Sequence, residues 1–379
     1  MNRLAFVCIA AVLCIAVAVS AGCIGTPQNA DNFATSVPVS TYLYVNEKFS
    51  TIGLNMTASE FDRSGILPGD SVDIVFSNGV VCNDVPYLTG VFVRNGQLIL
   101  LNRSATMNTL ELVRVNAGNE WDALGVTPNE TVTVTLAEKQ KYALAQKLNK
   151  LRYSRDRTKF ASDEEFTNFR AVSGGNLKPD YIYRGASAID NLGRRVSIVN
   201  KLLESHGVQT LIDMADTDAA IEKMQAKEGH DAPYFDRLYQ EGDVVALGMS
   251  TAFASDAFKQ KIVQGFREIL NRDGPFYIFC LEGKNRTGVA ALLLEALAGA
   301  TYDEMVADYM QTYTNYYKIT KDKNPDMYRQ IVELKFDEAV KAFSNGSPSA
   351  DLKNDARSYL LSGGMTDEEI DALIAKICN

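Results

Sequence analysis

Histidine is nearly missing from this 379-residue chain, which has only His206 and His230. Zinc sites built on several imidazoles are therefore excluded, while carboxylate-rich metal sites stay open. Positive charge is also short: 38 lysines and arginines stand against 47 acidic residues, for a formal net charge of -9. Nucleic acid is thereby disfavoured as a partner, because phosphate backbones are held mainly by excess Lys and Arg. A local anion pocket is still compatible with an acidic chain. The apolar run near the start, Leu4 to Val19, falls short of the roughly 20 residues that a comfortable membrane span requires. With 46% hydrophobic and 22% charged residues, the rest has globular proportions and enough length for one large or two medium domains.

Arg3, that apolar run and Ser20-Ala21-Gly22-Cys23 together read as an export signal over residues 1–22. The small residues before Cys23 resemble the lipobox of bacterial lipoproteins, with Ser20 where that motif has Leu. This resemblance implies lipidation of Cys23, a membrane anchor and a place on the bacterial cell surface. Cleavage after Ala21 is the alternative and gives a soluble secreted protein. Once the signal is removed and Cys23 modified, Cys82, Cys280 and Cys378 remain. Three widely spaced cysteines make no disulfide framework, so at least one thiol should be free. Residues 23–40, rich in Thr, Pro, Asn and Ser, read as a tether.

Residues 41–137 carry short β-type runs punctuated by turns. Asn78-Gly79 lies between Val72–Phe76 and Val80-Val81, and Asn95-Gly96 between Val91-Phe92-Val93 and Leu98–Leu100. Both predict hairpins through two-residue turns with positive φ at both positions. An internal echo is also present: Glu60-Phe61-Asp62, Gly65, Pro68 and Val72-Asp73-Ile74 recur 60 residues later as Glu120-Trp121-Asp122, Gly125, Pro128 and Val132-Thr133-Val134. A repeated turn and strand predicts a small β-rich domain, barrel or sandwich, built from two similar halves. It has no cluster of catalytic residue types, so its expected part is binding, spacing or simply structural. Residues 138–165 are crowded with Lys and Arg and predict a basic linker helix, with a face toward an anionic membrane as the sharper alternative.

Over residues 166–379 strand-type runs alternate with helical ones. Val208–Ile212 and Pro275–Phe279 read as buried strands, and Val196–Leu203, Phe258–Leu270, Val289–Leu297 and Tyr302–Met310 as helices. Such alternation predicts an α/β domain whose central sheet carries the site at its strand ends.

The most informative segment joins the second strand to the third of those helices: Cys280-Leu281-Glu282-Gly283-Lys284-Asn285-Arg286-Thr287-Gly288. Unpaired N–H groups and the positive end of a helix dipole favour an anion there, whether phosphate or thiolate. Gly283 and Gly288 are expected to let the loop curve so that its N–H groups converge on one centre. Arg286 offers a planar fork for two phosphate oxygens, and Lys284 a second positive charge at the rim. Cys280 is thus the candidate nucleophile, Arg286 the stabiliser of the equatorial oxygens and Thr287 a hydrogen-bond donor to the departing sulfur. Leu281, Glu282, Gly283, Lys284, Asn285 and Gly288 form the cradle, and neither metal nor cofactor is called for.

This loop resembles the signature of the protein tyrosine phosphatase superfamily, and its Gly-Lys-x-Arg-Thr-Gly ending resembles the bacterial branch acting on phosphotyrosine and phosphoinositides. Further stretches resemble that branch: Asn168-Phe169-Arg170, Ile182-Tyr183-Arg184-Gly185, Thr210–Asp213, Asp308-Tyr309-Met310 and Tyr359 through Glu369. The resemblance implies a cysteine-phosphatase-like sheet flanked by helices over 166–379, and a phosphorylated protein or small phosphomonoester as substrate. A phosphoinositide or inositol phosphate substrate, or a weakened phosphatase that only binds phospho-ligands, are the alternatives. The family's usual His before the nucleophile is Phe279 here, its Asp before the arginine is Asn285, and Met214-Ala215 stand where an Arg normally follows its Asp-Leu. The resemblance makes Asp213 the best choice of general acid, with Asp216, Asp218 and Asp256 also available.

Overall fold

The structure is a computed structural model that describes residues 37–47, 51–116, 120–344 and 351–379. The expected signal, Cys23 and most of the tether lie outside the described residues. The chain divides into two compact units, the first ending at Lys150 and the second starting at Leu151.

In the first unit, strands β1 (Val39–Asn46), β2 (Thr51–Thr57), β3 (Ser71–Phe76), β4 (Val81–Leu88), β5 (Leu98–Asn102), β6 (Thr109–Arg114) and β7 (Thr131–Glu138) close into a barrel in the order β1-β2-β6-β5-β4-β3-β7. Closure leaves no open sheet edge. Leu43, Ile52, Val72, Ile74, Leu100, Leu112 and Val134 fill the interior, so the barrel is a packed core rather than a channel. Helices α1 (Ala58–Asp62) and α2 (Glu120–Leu124) are the repeated turns of the sequence echo. The strands that follow them pair with each other, with Ile74 directly opposite Val134, its counterpart 60 positions on.

Two expectations need correction. At Asn78-Gly79 the β3–β4 hairpin forms, but only Gly79 takes positive φ (89°). At Asn95-Gly96 there is no hairpin: residues 91–93 are not a strand, and β4 and β5 run parallel. Val93 is instead buried in a small cluster with Leu88, Ile99, Leu101 and Val115, so packing satisfies the apolar run without strand pairing.

The basic stretch is not one helix either. Helix α3 (Ala143–Asn149) is short and tied to the barrel: Gln146 Nε2 donates to Thr89 Oγ1 (2.8 Å), and Asn149 Oδ1 accepts from the Phe92 N–H (2.9 Å). Lys139 pairs with buried Asp70 and Lys141 with Asp84, so these cations neutralise barrel carboxylates instead of lining a free face.

The second unit holds a five-stranded sheet in the order β11-β10-β12-β9-β8, from β8 (Arg170–Ala171), β9 (Ile182–Gly185), β10 (Thr210–Asp213), β11 (Val244–Ala246) and β12 (Phe276–Phe279). All pairs are parallel except the edge pair β8–β9. Around it lie α4 (Asp163–Thr167), α5 (Val196–Ser205), α6 (Asp218–Gln225), α7 (Pro233–Glu241), α8 (Asp256–Asn271), α9 (Arg286–Leu297), α10 (Tyr302–Tyr317), α11 (Pro325–Ile331), α12 (Asp337–Lys341), α13 (Leu352–Ser362) and α14 (Asp367–Ile377). The fold class is thus α/β, with the β-rich unit a barrel. Register sets Phe279 beside both Asp213 and Gly185, and Asp213 beside Ala246. Four strands therefore end together, and the loops leaving that edge converge. Among the described residues no helix is long and apolar enough to cross a membrane.

Candidate active site

Strand β12 is buried throughout, and its last residue, Phe279, hands the chain to Cys280 at the converging edge; the thiol is 3% exposed. Helix α9 starts at Arg286, three residues before its apolar run opens at Val289. Between them, three successive carbonyls are bonded from outside the loop. Leu281 O accepts from the Ser187 N–H (3.3 Å), Glu282 O from the Tyr316 hydroxyl (2.9 Å), and Gly283 O from Arg184 Nη2 (2.9 Å). Asn168 Nδ2 approaches the carbonyls of Glu282 and Gly283 at 3.4 and 3.5 Å. With its carbonyls held outward, the loop has its amides left over: among the described residues no backbone carbonyl accepts an N–H of residues 281–286. Free amides at a helix N-terminus make an anion nest.

Gly283 is required by the packing. It has φ of 65°, and a Cβ there would lie 2.2 Å from the Gly185 carbonyl oxygen at the end of β9. Gly288, in contrast, sits inside α9 with ordinary φ; a Cβ would lie 3.3 Å from the Tyr309 ring, so it serves close packing of α9 against α10 and not loop curvature.

Beneath the nest lies a buried charge network that no local pattern announces. Arg184 is fully enclosed and pairs with Asp308 on α10, whose other oxygen accepts from Arg170 Nε (2.8 Å). Asn168, in left-handed conformation at the end of α4, accepts through Oδ1 from Arg170 Nη1 (2.7 Å) and Asn315 Nδ2 (3.0 Å). Burial works to raise the Asp308 carboxyl, but the guanidiniums of Arg170 and Arg184 hold it down to about 2. Its neighbour Glu295, buried in α9, is pushed well above the carboxylate range by burial and by Asp308. Neither Glu295 oxygen has a hydrogen-bond partner, and burial beside Asp308 favours its neutral form. An anchored Arg184 in turn fixes the Gly283 carbonyl, and so the loop's shape.

The other expected site residues fall as follows. Arg286 Nη1 donates to Met249 O (2.9 Å) and, longer, to Ala215 O (3.5 Å), while its Nε is buried without a partner. A guanidinium held on one side keeps donors for a ligand on the other. The Thr287 hydroxyl is buried and also without a partner. Lys284 does not stand free at the rim: its ammonium pairs with Glu282 (2.8 Å) and meets the Tyr317 hydroxyl (3.3 Å). Asn285 is exposed at the cap of α9 and makes no capping bond.

Phe279 stacks on Tyr277 and meets Phe235 edge-on, which makes this position part of the apolar core. Asp213 is fully buried at the end of β10, its Oδ1 accepting from the N–H groups of Ala215 (2.8 Å) and Asp216 (3.1 Å). Asp218 and Asp256 sit in the first turns of α6 and α8. Among the described residues no group of three or more His, Cys, Asp or Glu is arranged to hold a metal ion.

A strand, an amide nest opening on cysteine and closing on arginine, and a helix together define an anion-binding site of the phosphatase kind. Residues 164–379 match the family described as the Tyrosine phosphatase family, and the chain belongs to it. Phosphatase activity is what that membership supports. A comparison with curated proteins found no match.

Proposed function

We propose that the second unit hydrolyses phosphomonoesters of the phosphotyrosine type through a phosphocysteine intermediate on Cys280. The observation that carries this reading is the nest itself: outward-tied carbonyls, unbonded amides and an Arg286 with a free buried Nε, all in the segment that directly follows Cys280. Phosphate seated there places phosphorus before the sulfur. Cys280 attacks and the leaving oxygen departs, while Arg286 and the amides stabilise the charged equatorial oxygens. Water then cleaves the S–P bond, and the free Thr287 hydroxyl is available to the departing sulfur. Because Lys284 is matched by Glu282, the loop offers less surplus charge than a polyphosphorylated inositol would exploit, which favours a singly phosphorylated aryl ester. The test is hydrolysis of p-nitrophenyl phosphate in the presence of EDTA by wild type and Cys280→Ser. Wild type should turn over and the variant should be inactive. Activity that survives the substitution, or that chelation removes, refutes the mechanism.

A further inference from the structure

Departure of a phenoxide is speeded by a proton donor, and Asn285 cannot act as one. The carboxyls around the converging strand ends are Asp190, Asp213, Asp216 and Glu282. Glu282 is engaged by the Lys284 ammonium at 2.8 Å. Asp190 accepts from the Leu192 N–H (2.8 Å) as the cap of a short helical turn and is occupied there. Asp213 is completely enclosed, so it cannot itself meet a substrate. Asp216 is half-buried and adjoins Ala215, whose carbonyl receives the Arg286 guanidinium.

Asp213 and Asp216 are also linked directly, the Asp216 N–H donating to Asp213 Oδ1 (3.1 Å). Asp213 Oδ1 is satisfied by two amides, but its Oδ2 is buried with no donor near it. An ionised carboxylate stranded in that way is costly, and a single proton held by the pair relieves that cost. We infer that Asp216 is the proton donor to the leaving group, and that Asp213 is the positioning residue that keeps a proton on the pair. This rests on the phosphocysteine reading above.

The electrostatics agree with the geometry. Burial and then Asp216 push Asp213 up to about 8. Burial and then Asp190 raise Asp216, with Arg286 and Lys227 acting the other way. Two adjacent carboxyls resist joint ionisation, so the pair carries a proton at neutral pH. In the first step the S–P bond forms and the P–O bond breaks. The electron pair goes to the leaving oxygen, which takes the proton from Asp216, and the extra negative charge on the pair lies beside Arg286. In the second step water oxygen attacks phosphorus and the S–P electrons return to sulfur. The water proton goes back to Asp216.

The test compares phenyl phosphate, whose leaving group needs protonation, with p-nitrophenyl phosphate, whose leaving group needs it far less. Asp216→Asn should lose about a hundredfold more kcat on phenyl phosphate than on p-nitrophenyl phosphate. Asp216→Glu should recover part of that difference. Asp213→Asn, which removes the like-charged neighbour, should move the alkaline limb of the phenyl phosphate pH profile to lower pH by about one unit or more. Equal loss on both substrates in Asp216→Asn, or an unmoved limb in Asp213→Asn, overturns the assignment. Either outcome with Cys280 dependence intact refutes only the acid; activity that survives Cys280→Ser refutes the nucleophile.

Discussion

Gly283→Ala is the sharpest probe of whether loop shape, rather than residue identity alone, makes the site. The new Cβ would sit 2.2 Å from the Gly185 carbonyl oxygen, where ordinary contact begins near 3.4 Å. Either the loop or the end of β9 must then yield by about 1 Å, a displacement that costs on the order of a hundredfold in rate when it misplaces a reacting group. A left-handed φ adds about 1–2 kcal/mol for any residue with a Cβ. For a domain of this size that corresponds to a fall in Tm of roughly 2–8 °C. The expected result is a folded protein with kcat/KM on p-nitrophenyl phosphate reduced at least about a hundredfold, measured beside thermal unfolding followed by circular dichroism. Full activity, or activity lost only in proportion to unfolded protein, would refute the argument that the Gly185–Gly283 approach sets the nest.

Two further outcomes test the layers behind the loop. Asp308→Ala leaves Arg170 and Arg184 buried without their counterion, and removing one partner of such a group costs about 3–5 kcal/mol, or roughly 10 °C in Tm; an unchanged melting temperature would show that the network does not anchor the fold. Asp213 keeps its proton in the folded state up to about 8, whereas its ordinary value is 3.8. The unfolded chain therefore binds fewer protons between those limits, and stability declines as pH rises from about 4 to about 8. Asp213→Asn removes that slope, so the Tm of the variant minus that of wild type should grow between pH 5 and pH 8; a constant difference would contradict the buried protonated acid.

The two halves of the site differ in how far local sequence reports them. Strand β12 and helix α9 are legible because Phe276–Phe279 is a continuous apolar run and Val289–Leu297 is apolar all round, and both patterns are local. Cys280, Gly283 and Arg286 are read from the loop for the same reason. Their supports are not: Arg184 lies 99 residues before the carbonyl it holds, and Asp308 124 residues beyond Arg184. Family resemblance marks those stretches without telling what they touch. The Asn95-Gly96 error has the same origin, since whether two strands run parallel is decided by where the chain travels between them. Sequence offers Asp216 only alongside Asp213, Asp218 and Asp256, because nothing in Asp213-Met214-Ala215-Asp216 shows that one carboxyl is enclosed and the other half-open.

The departures from the family pattern become intelligible in these terms. Phe279 faces an aromatic core with Tyr277 and Phe235, where an imidazole would have to bury polar nitrogens. Shape of the nest is then maintained by Ser187, Tyr316 and Arg184 acting on three successive carbonyls, rather than from the residue before the nucleophile. Asn285 removes an acid from the loop's exposed rim, while Asp213 and Asp216 supply one beside Arg286, on the neighbouring strand's end. Each of these two substitutions thus meets a counterpart elsewhere in the same unit. That arrangement is what a working cradle demands, because a nest whose carbonyls were free to rotate would lose its convergent amides before any substrate arrived.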